Sequence, residues 1–305
     1  MGADMGAEAV AKERSGCLGI VNVASVPQRS PFRYPGGKTW LIPRVRQWLS
    51  SFPEKPYELI EPFAGGGIVS LTAVFENLVT RATMVEIDHD VAAVWQTILN
   101  GGGPWLANRI GSFDFTPESV RAVLSEAQPD LGARAFATIL RNRVSRGGIL
   151  APGAGLVKNG ENGRGLASRW YPRTLSNRIL AIVSVKDRLL FLEGDGIAVM
   201  RQNAARKDAV FFIDPPYVVA GRRLYTHSDI NHAELFEVTA RLAGDFLMTY
   251  DDTAEIRSLA AEHGLAVRAV SMKTTHHTCK RELLIGRDLT WLTDDQALEP
   301  ASLEF

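Results

Sequence analysis

The chain has 305 residues, 46% of them hydrophobic, and its 34 basic and 34 acidic residues cancel to a formal net charge of zero. This length suffices for one large domain or two smaller ones with a sizeable core. Because the sequence contains no apolar run of about 18 residues and no signal-peptide pattern, we expect a soluble, cytoplasmic protein without a membrane partner. The two cysteines, Cys17 and Cys279, are too few for a disulfide framework, and no His/Cys spacing predicts a metal site.

The first predicted segment is a loose tail, residues 1–28, and the sequence FRYPGGKTW follows at 32–40. Gly37, Lys38 and Thr39 match the end of a phosphate-binding P-loop. Such a loop also needs a glycine five residues before Gly37, because backbone N–H groups along the whole loop wrap the phosphates. Phe32 occupies that position, which argues against a nucleotide triphosphatase.

Two strand–helix units come next. A strand through Leu59 and Ile60 leads into a glycine turn and a helix over 69–75, and a second strand over 83–87 leads into a helix over 91–98. Two successive units of this kind predict a parallel sheet with helices packed on it. The sequence therefore favours an α/β fold.

The glycine turn and the acidic residues after the second strand predict a cofactor site. Contiguous Gly65, Gly66 and Gly67 let the backbone approach a ligand at a helix N-terminus. Glu86 and Asp88 follow about twenty residues later, where a carboxylate can bind a ribose diol. A dinucleotide would favour the pattern G-x-G-x-x-G, so we expect a different adenosine-bearing cofactor.

The sequence changes character after Asn100 and becomes rich in Arg and Gly. Between residues 131 and 190 it has eleven basic and two acidic residues, an excess of nine positive charges. Helices are predicted over 132–144 and 174–190, with loops and a hairpin between them. Because arginine suits bidentate contacts with phosphates and guanine edges, this insertion is predicted to bind a polyanion.

The strand–helix pattern then resumes, and the strand AVFFI is followed directly by DPPY, Asp214 to Tyr217. Pro215 and Pro216 stiffen the turn. The Asp214 carboxylate and the Pro215 carbonyl can accept both hydrogens of an exocyclic amino group, while Tyr217 stacks on the ring that carries it. This turn is the predicted catalytic site.

The ordered set FRYPGGK, EPFAGGG, VEID, GD, DPPY and ELLI resembles the Dam-type class of DNA adenine-N6 methyltransferases over residues 31–292. The resemblance implies a Rossmann-like methyltransferase sheet with an inserted, mainly helical, Arg-rich target recognition domain. It implies a discontinuous catalytic domain, 29–103 and 189–292, a recognition domain at 104–188 and a C-terminal tail at 293–305. S-adenosylmethionine is the implied co-substrate, with no metal, and double-stranded DNA is the implied partner of a monomeric, nucleoid-associated enzyme.

Site residues are carried over from the family by position. The implied cofactor-binding residues are Tyr34, Gly36, Gly37, Lys38, Phe63, Gly65, Gly66, Gly67, Glu86, Asp195 and Asp214. Asp214, Pro215, Pro216 and Tyr217 would hold the flipped adenine. Arg141, Asn142, Arg143 and Arg146 are the predicted DNA contacts, where the similarity is weakest. Family members often place an aromatic residue after the aspartate at position 195, whereas this chain has Gly196.

Other substrates stay open at this level. Related enzymes that methylate cytosine N4 usually have Ser, and those that modify glutamine have Asn, where this chain has Asp214. RNA adenine is a further alternative, and so is a non-catalytic DNA-binding relative.

Overall fold

The structure of the protein, a computed structural model, describes residues 25–33, 36–151, 153–158, 160, 163–216, 230–273 and 279–293. In this part of the chain the strands are β1 Glu58–Glu61, β2 Arg81–Glu86, β3 Leu189–Glu193, β4 Ala209–Ile213, β5 Phe246–Asp251, β6 Ala266–Lys273 and β7 Cys279–Gly286. The α-helices are α1 Ile42–Ser50, α2 Ile68–Phe75, α3 His89–Thr97, α4 Gly103–Gly111, α5 Pro117–Ser125, α6 Leu131–Val144, α7 Pro172–Ser184, α8 Gly196–Gln202, α9 His232–Ala240 and α10 Ala254–Glu262.

The seven strands form one sheet in the order β3-β2-β1-β4-β5-β7-β6. Neighbours from β3 to β5 pair in parallel, and β7 pairs antiparallel with both β5 and β6. The chain order reverses between β1 and β4, which is the topological switch point where doubly wound sheets bind ligands. The predicted α/β fold, a Rossmann-like methyltransferase sheet, is confirmed.

Both faces of the sheet are covered by hydrophobic clusters. Successive residues of β1 divide between them, because side chains alternate across a strand: Leu59 belongs to one cluster and Ile60 to the other. The helices α8, α9 and α10 cover the second face. Val26, near the end of the predicted tail, is buried in the first cluster.

The insertion is mainly helical and shares its core with the sheet. Helix α6 packs on α3, and α7 packs on α4. Phe136 and Ile179 from these helices lie in the same cluster as Leu59 and Trp95. The chain between Ser145 and Val157 turns back on itself through a bridge between Ser145 and Leu156, in agreement with the predicted hairpin.

One predicted boundary is wrong. The helix expected over 174–190 ends at Ser184, and a short 3₁₀ turn, Lys186–Arg188, leads into β3. Leu189 and Leu190 pair with Ala82 and Thr83 of β2, so the sheet takes the two leucines that continued the helical pattern. Among the described residues, no helix is both long and apolar enough to cross a membrane.

Polar caps fix where the helices at the carboxyl edge of the sheet begin. The Asp88 carboxylate accepts hydrogen bonds from the backbone N–H groups of Asp90 and Val91 at the start of α3. The Asp195 carboxylate accepts one from the N–H of Ile197 at the start of α8. Such a cap contributes about 1 kcal/mol, and it also holds the residues that follow β2 and β3 in place.

Candidate active site

A cavity of about 820 Å³ lies at the carboxyl ends of β1, β2, β3 and β4, next to the switch point of the sheet. Its volume is in the range of pockets that bind small molecules. The predicted site residues that line it are Gly36, Gly37, Lys38, Phe63, Gly65, Gly66, Gly67, Glu86, Asp195, Asp214 and Pro216. Segments far apart in sequence thus meet in one cavity.

Three predicted residues cannot be placed in this cavity. Tyr34 and Tyr217 lie outside the described residues, and their roles stay predictions. Pro215 is buried beside Asp214 and is not among the lining residues.

The glycine turn after β1 brings bare backbone to the cavity wall. Gly67 has a left-handed backbone, with φ of 62°, and a Cβ added there would lie 2.8 Å from the Met84 sulfur. The indole N–H of Trp95 donates a 2.9 Å hydrogen bond to the Gly65 carbonyl. The fold therefore both requires glycine at position 67 and anchors the turn from behind.

Glu86 ends β2 with its carboxylate buried. Oε2 accepts a hydrogen bond of 3.0 Å from the N–H of Gly65, and Oε1 accepts bonds from the N–H groups of Ile87 and Asp88. Burial raises the pKa of Glu86 to about 7, although the backbone hydrogen bonds act against that shift. The carboxylate is thereby fixed between the glycine turn and the start of α3.

Glu61, the last residue of β1, is a buried acid that the predicted site set lacks. It lines the cavity, and its Oε2 accepts hydrogen bonds from the N–H and the hydroxyl of Ser70. Burial raises the pKa of Glu61 to about 8, against the opposing effect of these bonds. Glu61 is therefore mostly protonated at neutral pH.

Gly196 explains why the aromatic residue common in the family is missing here. A Cβ at this position would lie 2.1 Å from the Pro62 carbonyl oxygen, so the backbone of α8 approaches the turn after β1 too closely for any side chain. Two isoleucines supply apolar surface instead. Ile87 and Ile197 both line the cavity, and Ile87 is 44% exposed.

Asp214, directly after β4, is held through one carboxylate oxygen. The Thr249 hydroxyl on β5 donates a 2.7 Å hydrogen bond to Oδ1, and the Lys38 ammonium lies 2.9 Å from the same oxygen. Among the described residues, no hydrogen bond reaches Oδ2. The side chain remains 21% exposed and lines the cavity.

Lys38 is the central cation of this site, and 3% of its side chain is exposed. Its Nζ also donates to the Gly36 carbonyl at 2.9 Å and lies 3.9 Å from the Glu282 carboxylate on β7. Burial alone would lower the pKa of Lys38, but the charges of Asp214 and Glu282 outweigh it and raise that pKa above its ordinary value. Lys38 therefore stays charged and fixes Asp214.

Two of the four predicted DNA contacts have internal partners instead. The Asn142 side chain is fully buried; its Oδ1 accepts from the N–H of Arg33, and its Nδ2 donates to the carbonyls of Arg33 and Gly148. Arg143 is 5% exposed and donates a 2.6 Å hydrogen bond to the Pro31 carbonyl. These residues hold the segment before the Gly36-Gly37-Lys38 turn, and their direct contact with DNA stays a prediction.

The other two lie nearer the surface. Arg146 is exposed at the start of the hairpin, and its backbone N–H donates to the Gly155 carbonyl. Arg141 is partly exposed and forms an ion pair of 3.1 Å with Asp90. Neither residue lines the cavity that holds Asp214.

Thr249 and Glu282 were missed by the sequence interpretation, although each carried a signal. Both are polar residues that are buried within their strands, FLMTYD and CKRELLIG. A polar side chain buried in such a strand needs a partner. The partner here comes from a remote segment, which the local pattern does not identify.

Residues 34–113 match the sequence model of a family described as D12 class N6 adenine-specific DNA methyltransferases. The resemblance to this family is confirmed. Over these residues the match also supports the general assignment as a methyltransferase. The matched segment covers about a quarter of the chain and includes the glycine turn and Glu86. A comparison with curated proteins finds no significant match.

Solved structures show only a weak likeness. A putative RNA methyltransferase from Pyrococcus horikoshii has 11% identity and a TM-score of 0.38, over 92% of this chain and 96% of that one. An rRNA methyltransferase from Streptomyces viridochromogenes has 13% identity and a TM-score of 0.37, over 83% and 85%. The putative methyltransferase yhhF from Escherichia coli has 11% identity and a TM-score of 0.36, over 81% and 88%. These scores are too low to support an argument about the fold or the function, and the fold assignment rests on the strand order alone.

Proposed function

We propose that the protein transfers a methyl group from S-adenosylmethionine to the N6 amino group of a specific adenine in double-stranded DNA. The match of residues 34–113 to the D12 class supports this reaction, since the family's description names it. The arrangement around Asp214 is the observation that carries the choice of an amino group as the acceptor.

The Asp214 carboxylate is prepared to accept a hydrogen bond from a ligand. Lys38 and Thr249 both contact Oδ1, so the orientation of the carboxylate is fixed. Oδ2 keeps its acceptor capacity at the wall of the cavity, because an ionised carboxylate has about four acceptor sites. One hydrogen of an exocyclic amino group fits Oδ2, and the carbonyl of Pro215 is the proposed acceptor for the other.

These hydrogen bonds address the weakness of N6 as a nucleophile. The lone pair of an adenine amino group is delocalised into the ring, and hydrogen bonds from both of its hydrogens favour a more tetrahedral nitrogen. Bound S-adenosylmethionine supplies an electrophilic methyl group on a sulfonium. The lone pair forms the new N–C bond as the S–C bond breaks, the S–C electron pair stays on sulfur, and a proton leaves N6 for water.

Other residues that line the cavity fit the rest of the cofactor. The bare backbone at Gly67 allows close approach, and three of about four acceptor sites on Glu86 are already used, which leaves one for a ribose hydroxyl. Ile87 and Ile197 offer apolar surface to the adenine ring. Asp195 remains the proposed acidic residue near that ring.

The insertion supplies the proposed DNA-binding surface. Residues 104–188 form the proposed recognition domain, and the excess of nine positive charges between 131 and 190 favours a polyanion. Exposed Arg146 and partly exposed Arg141 are the proposed contacts of its outer surface. The target base must leave the duplex to reach Asp214, at a cost of a few kcal/mol that DNA contacts offset.

The test is transfer of tritiated methyl groups to duplex DNA, followed by separation of the nucleosides. We expect label in N6-methyladenine, and a loss of about 10²- to 10⁴-fold in rate for Asp214→Ala with cofactor binding retained. Label in N4-methylcytosine or only in RNA would replace the substrate. Absence of transfer to any nucleic acid, with cofactor bound, would favour a non-catalytic relative.

A further inference from the structure

Three arginines lie on or against the segment that leads into the Gly36-Gly37-Lys38 turn. Arg143 on α6 donates to the Pro31 carbonyl at 2.6 Å, and Arg178 on α7 donates to the adjacent Ser30 carbonyl at 3.3 Å. Arg33 follows in the same segment, with its backbone held on both sides by Asn142. We call Arg33, Arg143 and Arg178 the arginine cluster.

Little of the hydrogen-bonding capacity of the arginine cluster is used within the described residues. A guanidinium has five N–H donors. The Arg33 side chain makes no hydrogen bond or ion pair there, Arg178 makes one bond through Nη1, and the buried Nε of Arg143 has no partner. The partners are neutral carbonyl oxygens, and no carboxylate of the described residues pairs with any of the three.

The charges of the cluster act on one another. Burial, together with the neighbouring charges of Arg178, Arg33 and Arg169, lowers the pKa of Arg143 to about 9. The pKa of Arg33 is also below its ordinary value, through burial and the charge of Arg169. Gathering one buried and two partly buried cations with no opposite charge among the described residues is unfavourable, so such an arrangement indicates a site for an anion.

The position of the cluster shows where that anion would bind. Arg33 and Arg178 line the same cavity as Asp214, together with Ser30 and Gln28. This wall belongs to the insertion and the segment that it holds, whereas the glycine turn, Glu86 and Asp195 lie at strand ends. The anion site therefore lies on the insertion side of the cavity.

Resting on the proposed function, we propose that Arg33 and Arg178, with Arg143 behind them, bind a backbone phosphate next to the flipped adenine. A base that rotates into the cavity carries its flanking phosphates to the cavity mouth. Two guanidinium groups on one wall can donate paired hydrogen bonds to the oxygens of a phosphate. Because a phosphate carries no sequence information, this contact positions the nucleotide and does not select it.

The experiment uses the full chain with Arg33→Met and Arg178→Met, and measures binding to a duplex with a mismatched adenine, which leaves the base stack at the least cost, by fluorescence anisotropy over a range of salt concentrations. Arg121→Met is the matched control, because Arg121 is an exposed arginine of the insertion, paired with Glu118, and it does not line the cavity. Circular dichroism checks that each variant is folded. Calorimetry with S-adenosylhomocysteine measures cofactor-site binding separately.

We expect each cavity variant to reduce the slope of log K against log salt concentration by about 0.9, with cofactor-site binding unchanged. Arg33→Lys should restore most of the slope because the positive charge remains. A slope equal to that of Arg121→Met would overturn the phosphate site. A weakened S-adenosylhomocysteine affinity with an unchanged salt slope would assign the anion to the cofactor carboxylate and overturn it as well.

The salt slope and methyl transfer fail independently. A wild-type chain that binds DNA with the expected slopes but transfers no methyl group would refute the proposed function and keep the phosphate site. Transfer to DNA with unaltered slopes in both variants would refute only the phosphate site. A wild-type chain that does not bind DNA would refute both.

Discussion

The two walls of the cavity differ in whether their charged side chains are compensated by partners within the protein. At the sheet edge, Glu86 accepts three backbone N–H bonds, and Asp214 is paired with Lys38. On the insertion side, Arg143 and Arg178 donate only to neutral carbonyls. The sheet edge is electrostatically complete before any ligand binds, whereas the insertion side gains its opposite charge from a partner.

This difference suits two kinds of ligand. Acidic groups fixed by internal partners cost no reorganisation when an amino group or a ribose hydroxyl arrives. Cations without an opposite charge instead keep their attraction for a polyanion, which raises both affinity and its dependence on salt. Under the proposed function, the same cavity holds a small cofactor firmly and still responds to DNA.

Replacement of Lys38 is expected to give the largest loss of stability and the clearest difference between the two walls. Lys38→Met leaves Asp214 and Glu282 without their shared cation, so the free energy of unfolding should fall by about 3–5 kcal/mol in urea denaturation. Adding Glu282→Gln to that variant should recover part of the loss, because one buried carboxylate charge is removed.

Arg143→Met is the matched variant on the other wall. It removes a buried cation that has no carboxylate partner among the described residues, together with one hydrogen bond to Pro31, so it should cost clearly less than Lys38→Met. Equal losses in the two variants would show that the walls do not differ in the way their charges are compensated.

An intermediate effect is expected in the dependence of stability on pH. The pKa of Glu61 in the folded protein is about 8 against an ordinary value of 4.5, so the folded state binds more protons than the unfolded state between those values. The contribution of Glu61 to the free energy of unfolding is therefore fully present below about pH 4.5, and it is lost as pH rises towards 8.

Glu61→Gln should flatten that decline, since the amide stays neutral and its oxygen can still accept from Ser70. Thermal unfolding midpoints of both proteins between pH 5 and 8 provide the measurement. Parallel curves for variant and wild type would mean that Glu61 titrates alike in the folded and unfolded states.

Much of the sheet edge could be predicted from the sequence, because local order creates it. An apolar strand followed by Gly65-Gly66-Gly67, and another followed by Asp214, place those residues at strand ends whatever the rest of the chain does. The predicted Lys38 also reached the cavity. The sequence pattern did not predict that Lys38 pairs with Asp214 and lies near Glu282.

The misses have a common physical origin in pairing between remote segments. Thr249 reaches Asp214 because β5 lies beside β4, and Glu282 reaches Lys38 because β7 pairs antiparallel with β5. In the insertion, counting arginines gave the sign of the charge but not its exposure. Asn142 and Arg143 thus looked like surface contacts, although the helix α6 turns them inward.

The smallest expected effect tests whether the Thr249 hydroxyl helps to orient the Asp214 carboxylate. Thr249→Val keeps the shape of a fully buried side chain but removes the hydroxyl that donates to Asp214 Oδ1. A hydrogen bond to a charged group is worth about 1.5–3 kcal/mol, and Lys38 still holds the same oxygen, so we expect kcat to fall by about tenfold. KM for DNA and binding of S-adenosylhomocysteine should stay unchanged, because neither depends on the orientation of this carboxylate. Thr249→Ser should restore kcat, since serine returns the hydroxyl, whereas wild-type kcat in Thr249→Val would mean that Lys38 alone orients Asp214.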